Sequence, residues 1–430
     1  MRWVRAQVVI AIAGLAAASA ASAASAPPVP KHFEVAQPQV AALVIVIHRA
    51  SGTRFEGRTR LLAELDGPFS ASVRSPDRNL RLGGLERGRG YQVEVRACNG
   101  GACSAWSDPI ESATLLAPIE YAAAAHPAPQ CQVIDPTDQI NLDISNATDY
   151  PVASNSAQII TRINSLGADA IHPDFGANPD YGIPYVVVGP EQPPVRLRFG
   201  IYGDESDREP YPIIPNAPVE GGRDSDGDRH VLVVQRPAAP GGDCELFETY
   251  RSFYLGGGGH RWRVASGSIF DLGGGLPQRP LGWTSADAAG LPIFPLLARL
   301  EEAGASGPEA AAGIDHALRI TFEETRRAYR DPASHYASDT CNPLDPPMGM
   351  RLRLSADYDI SGLSGPARKI AVAMKTYGAI VADNGSNWFI SGSTDARWPD
   401  DNLNALKDIP GTAFEVVNVA GTSLTVAPDC

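Results

Sequence analysis

The stretch Ile171-His172-Pro173-Asp174-Phe175-Gly176, continued by Tyr181-Gly182-Ile183-Pro184-Tyr185 and the run Val186-Val187-Val188, is a loop that feeds a strand. Proline and glycine punctuate the loop, and three β-branched residues in succession stiffen the strand. The loop also carries an imidazole and a carboxylate two positions apart. A strand fixes where such groups sit while the loop leaves them open to solvent, so His172 and Asp174 are the first candidates for a site.

Short apolar runs separated by turns continue in both directions. With 42 Gly and 37 Pro in 430 residues and 43% hydrophobic content, the chain has the composition of a globular protein built from many strands. In the second half, strands are expected over residues 185–188, 195–199, 230–234, 246–253, 262–266, 316–322, 350–354, 379–382 and 388–391. Ser266-Gly267-Ser268 reads only as a turn. Ile159, Ile163 and Leu166 recur at helical spacing up to Gly167, and a second helix should run from Ser364 to Lys375, with Pro366 in its first turn and Gly378 ending it. Residues 149–430 therefore read as one large β-rich domain, a jelly-roll-like β-sandwich with a few short helices. Strands and helices do not alternate regularly, which argues against a parallel barrel.

Met1-Arg2-Trp3-Val4-Arg5 places two positive charges ahead of the apolar run Val8 to Leu15, and Ala/Ser repeats then lead to Ala-Ser-Ala at Ala26. This is the three-part pattern of a secretory signal peptide over residues 1–26, too short for a membrane span. No later segment reaches membrane-helix length, so a secreted monomer, extracellular or periplasmic, is expected. The formal charge of −13, with no Lys/Arg cluster interleaved with aromatics, repels phosphate backbones and argues against nucleic acid as a partner.

Six cysteines in an exported chain imply disulfides, and none of their spacings is the paired arrangement that zinc uses. Cys98 and Cys103 enclose a short loop and should pair with each other. Cys244 with Cys341 and Cys131 with Cys430 are the expected remaining bridges.

Within residues 27–116, Tyr91, Val93, Val95 and Ala97 occupy alternate positions and so share one strand face. Gly84-Leu85-Glu86 before that strand and Cys103-Ser104-Ala105-Trp106-Ser107 after it stand at fibronectin type III spacings. The segment resembles that family, which implies an immunoglobulin-like β-sandwich acting as a spacer or binding aid. Residues 117–148, rich in alanine and proline, read as a linker and entry strand.

Acidic residues concentrate in loops of the large domain, at Asp174, Asp204 to Asp207, Glu220, Asp224 to Asp228 and Asp287. Splitting a glycosidic bond needs two carboxyl groups, one to donate a proton and one to act as base or nucleophile. Asp174 and Glu220 are the leading pair, Asp287 a third candidate, and His172 an orienting partner. Trp283 and Trp388, beside loops that supply Asn384 and Asn387, suit a sugar platform, because an indole face packs on pyranose C–H groups while amides bond hydroxyls. Asp224-Ser225-Asp226-Gly227-Asp228 lacks the spacing and the distal Glu of an EF-hand and reads as a turn, with calcium as the lesser alternative. His172, His230 and Asp174 would suit zinc or iron, but they lie on separate segments, so structural histidines are the stronger reading. No metal or other cofactor is assigned.

The combination of His172-Pro173-Asp174-Phe175-Gly176, Gly227 to Val234, Gly282 to Pro292 and Asp383 to Gly392 resembles a family of secreted microbial proteins without an established activity. That resemblance, over most of residues 150–417, implies export and one continuous domain and transfers no catalytic residue. The sequence thus points to a secreted carbohydrate-active protein, foremost a glycoside hydrolase acting on an extracellular polysaccharide or cell-wall glycan. The alternatives are a non-catalytic glycan-binding protein and, third, a polysaccharide lyase using His335 and Tyr336.

Overall fold

The computed structural model describes residues 25–430 except 40–41, 49, 63–67, 77, 87–89, 114–130, 132, 240, 256–261 and 305–312. All but the last two residues of the expected signal peptide, and residues 117–130 and 132 of the expected linker, lie outside the described residues. The protein is mainly β, with many sheets and few short helices.

Between His32 and Ala113 two sheets pack face to face. One joins His32–Gln39, Ala42–His48 and Asn79–Gly83; the other joins Val73–Ser75, Arg54–Leu61, Gly90–Asn99 and Ala102–Cys103, with Ile110–Ala113 also on Gly90–Asn99. The alternation read from sequence holds: Tyr91, Val93, Val95 and Ala97 are buried against Leu43, Ile45 and Leu80. Their outward neighbours form a ladder in which Arg58 sits between the Phe69 and Trp106 rings, at 4.2 and 4.1 Å, and Arg96 covers Trp106 at 4.5 Å. The Tyr91 hydroxyl accepts the Glu86 N–H at 2.7 Å, a corner contact typical of immunoglobulin-like sandwiches.

In the rest of the chain a four-stranded sheet runs Tyr185–Val188, Val231–Gln235, Glu245–Tyr250, Ser266–Asp271. Val231 and Val233 face one core cluster, Leu232 and Val234 another, so both faces are covered, and an uninterrupted apolar run is what such a strand requires. A six-stranded mixed sheet runs Phe414–Val416, Arg351–Leu354, Ala379–Asn384, Leu318–Phe322, Phe389–Ile390, His172–Pro173. Helices Ser156–Asn164 and Gly365–Thr376 bury Ile159, Ile160 and Ile163, and Ile370 and Met374, in the larger cluster. Gly378, at φ 72°, ends the second helix as expected.

Two expectations are corrected. Ser266-Gly267-Ser268 is not a turn but the start of a strand, where a Cβ on Gly267 would meet the Tyr211 hydroxyl at 2.7 Å; the glycine permits close packing, not reversal. The long-range disulfides are Cys131–Cys244 and Cys341–Cys430, with Cys98–Cys103 as expected. The entering segment runs beside Leu272, whose N–H donates to Cys244 O, and Arg326–Arg330 draws in both Thr340 and Ala427, so each cysteine meets the partner its backbone neighbours dictate.

Candidate functional site

A cavity of about 150 Å³ is lined by polar side chains of the six-stranded sheet and of the segment that leads into the four-stranded one. The six-stranded sheet contributes Arg319 and Thr321, on one face of their strand, with Asp383, Asn384 and Phe389, while Asp174 follows its edge strand. The pairing of Ala379–Asn384 with Leu318–Phe322 skips a residue, setting Val381 opposite Ile320 but Asp383 opposite Thr321. Such a bulge re-aims side chains, and here Asp383 and its successor Asn384 both line the cavity. Glu220, Asp228 and His230 arrive from the segment leading into Val231–Gln235.

Three of the four described non-glycine residues with positive φ border this place. Arg229 (55°) precedes His230, Trp388 (64°) precedes Phe389, and the Arg251 (50°) N–H donates to Asp228 O at 2.8 Å. Each such conformation costs about 1–3 kcal/mol, so the surrounding structure holds the cavity's borders in shape against local preference.

The charges are arranged in pairs. Arg319 is buried, donating from Nε and Nη2 to the two Asp287 oxygens at 2.9 and 2.8 Å, from Nη2 to Asp383 Oδ2 at 2.6 Å and from Nη1 to Ser391 Oγ at 2.8 Å. His230, also buried, has Glu220 Oε2 at 2.7 Å from Nδ1 and Ala286 O at 3.0 Å from Nε2. Both neighbours only accept, so the ring carries two protons and a positive charge. Burial opposes that charge, but the Glu220 carboxylate outweighs it and lifts His230 to about 9. Burial alone would raise Glu220; His230, by charge and hydrogen bonding, holds it below its ordinary value instead. Asp174 goes the other way: the residue is exposed, but its carboxyl is partly desolvated at the cavity, and this, with the nearby Glu220 charge, raises it. Asp383 is raised too, by burial and by Asp287.

Of the residues selected from sequence, Asp174, Glu220 and Asn384 line this one cavity. The Asn384 Nδ2 donates to Thr325 Oγ1 at 3.0 Å, and its Oδ1 has no partner among the described residues. Asp287 does not face the cavity: it is fully buried behind Arg319 as that cation's counter-charge. His172 stacks on Phe389, centroids 4.2 Å apart and planes 12° from parallel, and so orients an aromatic ring. Trp388 presents no face to a ligand, being fully buried with its indole N–H donating to Asn164 Oδ1 at 2.8 Å. Asn387 is consumed structurally, accepting from Glu323 N and donating to Ile163 O. Trp283 lies outside the cavity with the Arg279 guanidinium 5.5 Å from its ring. His335 and Tyr336 stack on each other at 5.7 Å and do not line it either.

Sequence reasoning missed Arg319, Asp383 and Phe389. An arginine inside an apolar strand, in Leu318-Arg319-Ile320, was the available signal, since a buried cation demands carboxylate partners. In the loop read as a turn, Arg229 Nη1 donates to Arg223 O at 2.8 Å and Ser225 O at 2.6 Å, so an internal cation already engages carbonyls that a calcium ion would need. Among the described residues the one group of three potential metal ligands in mutual reach is Glu56, Cys98 and Cys103, whose cysteines are bonded to each other.

No protein-family model and no curated protein matches the chain. Among solved structures, about a fifth of it is similar to fibronectin type III domains. The fn3 domain of human collagen alpha-1(XX) chain shows 23% identity over 22% of this chain and 92% of that one, with a TM-score of 0.19. The FN1-FN3 domains of chicken CNTN1 show 16% identity over 21% and 32%, TM-score 0.19, and the FN5 domain of Drosophila Lar 12% over 21% and 96%, TM-score 0.18.

Proposed function

We propose that this is a secreted glycoside hydrolase in which Asp174 donates the proton to the leaving oxygen and Glu220 acts as base or nucleophile. One observation carries the reading: two carboxyl groups line the same cavity with their proton affinities pushed in opposite directions, Asp174 upward and Glu220 downward. That division is what acid and base roles require of two otherwise similar groups. His230 keeps Glu220 charged, and Arg319 holds Asp383 in the cavity wall. Asn384 Oδ1 would accept from a sugar hydroxyl. Export is supported by the N-terminal signal pattern and by three disulfides. The N-terminal sandwich is read as a fibronectin type III-like accessory module.

Elimination from a uronate would need a free cation to neutralise the substrate acid. The cationic side chains lining the cavity, Arg319 and His230, already face carboxylates, which disfavours the lyase reading. The test is reducing-end release from a panel of plant and microbial polysaccharides by wild type, Asp174→Asn and Glu220→Gln. Hydrolysis abolished in both variants supports the assignment. Retention on a glycan without product would make the protein a binding module.

A further inference from the structure

We infer that the site takes a glycan chain and not a lone sugar, the chain passing from the cavity over Ser386 and the Phe389 ring into an adjoining trough. The inference rests on the hydrolase reading for the chemistry but stands on separate geometry. The cavity, at about 150 Å³, is smaller than the roughly 300–1,000 Å³ of a typical ligand pocket and suits a single ring. Beside it a second hollow of about 570 Å³ is lined by Ala168, Glu323 and Asn387 together with Gly385, Ser386 and Phe389, and these last three line the cavity as well. Ala168 and Glu323 are exposed, and the second hollow opens more widely to solvent than the first. A polymer threaded through both would leave one unit at the carboxyl pair and its neighbours outside.

The divide between the hollows is rigid. Thr321 Oγ1 donates to Ser386 O at 2.9 Å, and a Cβ on Gly385 would lie 2.9 Å from that same Oγ1, so the turn presses on the strand beneath. Phe389 is half-buried, with one face taken by His172. Burial and Lys407 both lower the proton affinity of His172, which keeps that stacked ring neutral. The remaining ring surface borders both hollows, as a platform for sugar C–H groups would. Asp228 and Glu323 are exposed at the cavity and the trough respectively, and the lining cations among the described residues, Arg319 and His230, are internally paired. The chain is therefore neutral or amino-bearing, because a polyuronate would meet like charge.

Affinity electrophoresis of wild type, Phe389→Ala and Phe389→Trp through gels containing xylan, mannan, mixed-linkage glucan, chitosan or alginate tests this. At least one neutral or amino-sugar polymer should retard the wild type, Phe389→Ala should lose most of that retardation, and Phe389→Trp should keep it, with thermal melts confirming that both variants fold. Where hydrolysis is found, Phe389→Ala should lower the ratio of polymer to aryl-monosaccharide kcat/KM about tenfold. No retardation by any neutral or amino polymer, stronger retardation by alginate, or an unchanged ratio in Phe389→Ala overturns the inference. Retardation lost in Phe389→Ala without any hydrolysis by wild type would uphold the groove and refute the hydrolase reading.

Discussion

Glu220 meets His230 twice: its Oε2 lies 2.7 Å from the ring Nδ1 and accepts the backbone N–H of the same residue at 3.2 Å. The carboxylate is thus fixed in position by the main chain and in charge by the imidazolium. Stability should record this as a bell in pH. His230 is raised from 6.5 to about 9, so its contribution is complete below pH 6.5 and disappears as pH climbs toward 9. Glu220 is lowered from 4.5, so its contribution is complete above pH 4.5 and disappears as pH falls through its folded value. Thermal melts should show the pair's stabilisation greatest between pH 4.5 and 6.5. Substituting His230→Gln should remove the component lost between pH 6.5 and 9; an unaltered alkaline limb would contradict the pairing.

Asp174→Asn and Glu220→Gln should each lower kcat by roughly 10²–10⁴-fold on natural glycosides. The two losses should differ in kind. A proton donor matters least when the leaving group departs readily, so the Asp174→Asn deficit should shrink on nitrophenyl glycosides while the Glu220→Gln deficit persists. Equal deficits on both substrates would reverse or void the assignment.

Replacing Arg319 by Met leaves Asp287 buried without its counter-charge. The expected destabilisation is about 3–5 kcal/mol, measured by denaturant titration. Lys should not substitute well, since the arginine fork contacts both Asp287 oxygens, Asp383 and Ser391 at once. Combining Arg319→Met with Asp287→Asn should recover part of the stability, and a double variant no better than the single would argue against this source of the loss.

Trp388→Ala should cost about 3–5 kcal/mol by opening the core beside Phe322 and Phe414, whose ring centroids each lie 5.2 Å away. Trp388→Phe should fold with a smaller loss, from an unpartnered Asn164 oxygen, and should retain glycan binding wherever wild type shows it. Binding lost in well-folded Trp388→Phe would restore a ligand role for the indole.

Strand and helix positions were legible because their signals are local: Val231 to Val234 is apolar throughout, and Ile159 with Ile163 repeats at helical spacing. The convergence of Asp174 and Glu220 on one cavity was reachable as a hypothesis from loop chemistry alone. The features that stayed hidden depend on register. Trp388 and Phe389 are adjacent, and only the pairing of Phe389–Ile390 with strands on both sides, together with the left-handed turn at Trp388, sends one ring into the core and leaves the other at the cavity. Composition treats both as aromatic residues beside a polar loop. The long-range disulfide partners were hidden for the same reason, since Cys131 and Cys244, 113 residues apart, meet through backbone contacts.

The Cys131–Cys244 bridge encloses Asp174 and Glu220 in a single covalent ring. A protease that nicked an exposed loop within it, such as Asp226 to Asp228, would leave both acids tethered to the same molecule. Such a cut would be silent on a gel run without reductant and would split the chain once thiol was added. In surroundings rich in proteases, the protein carries its own insurance against a broken backbone.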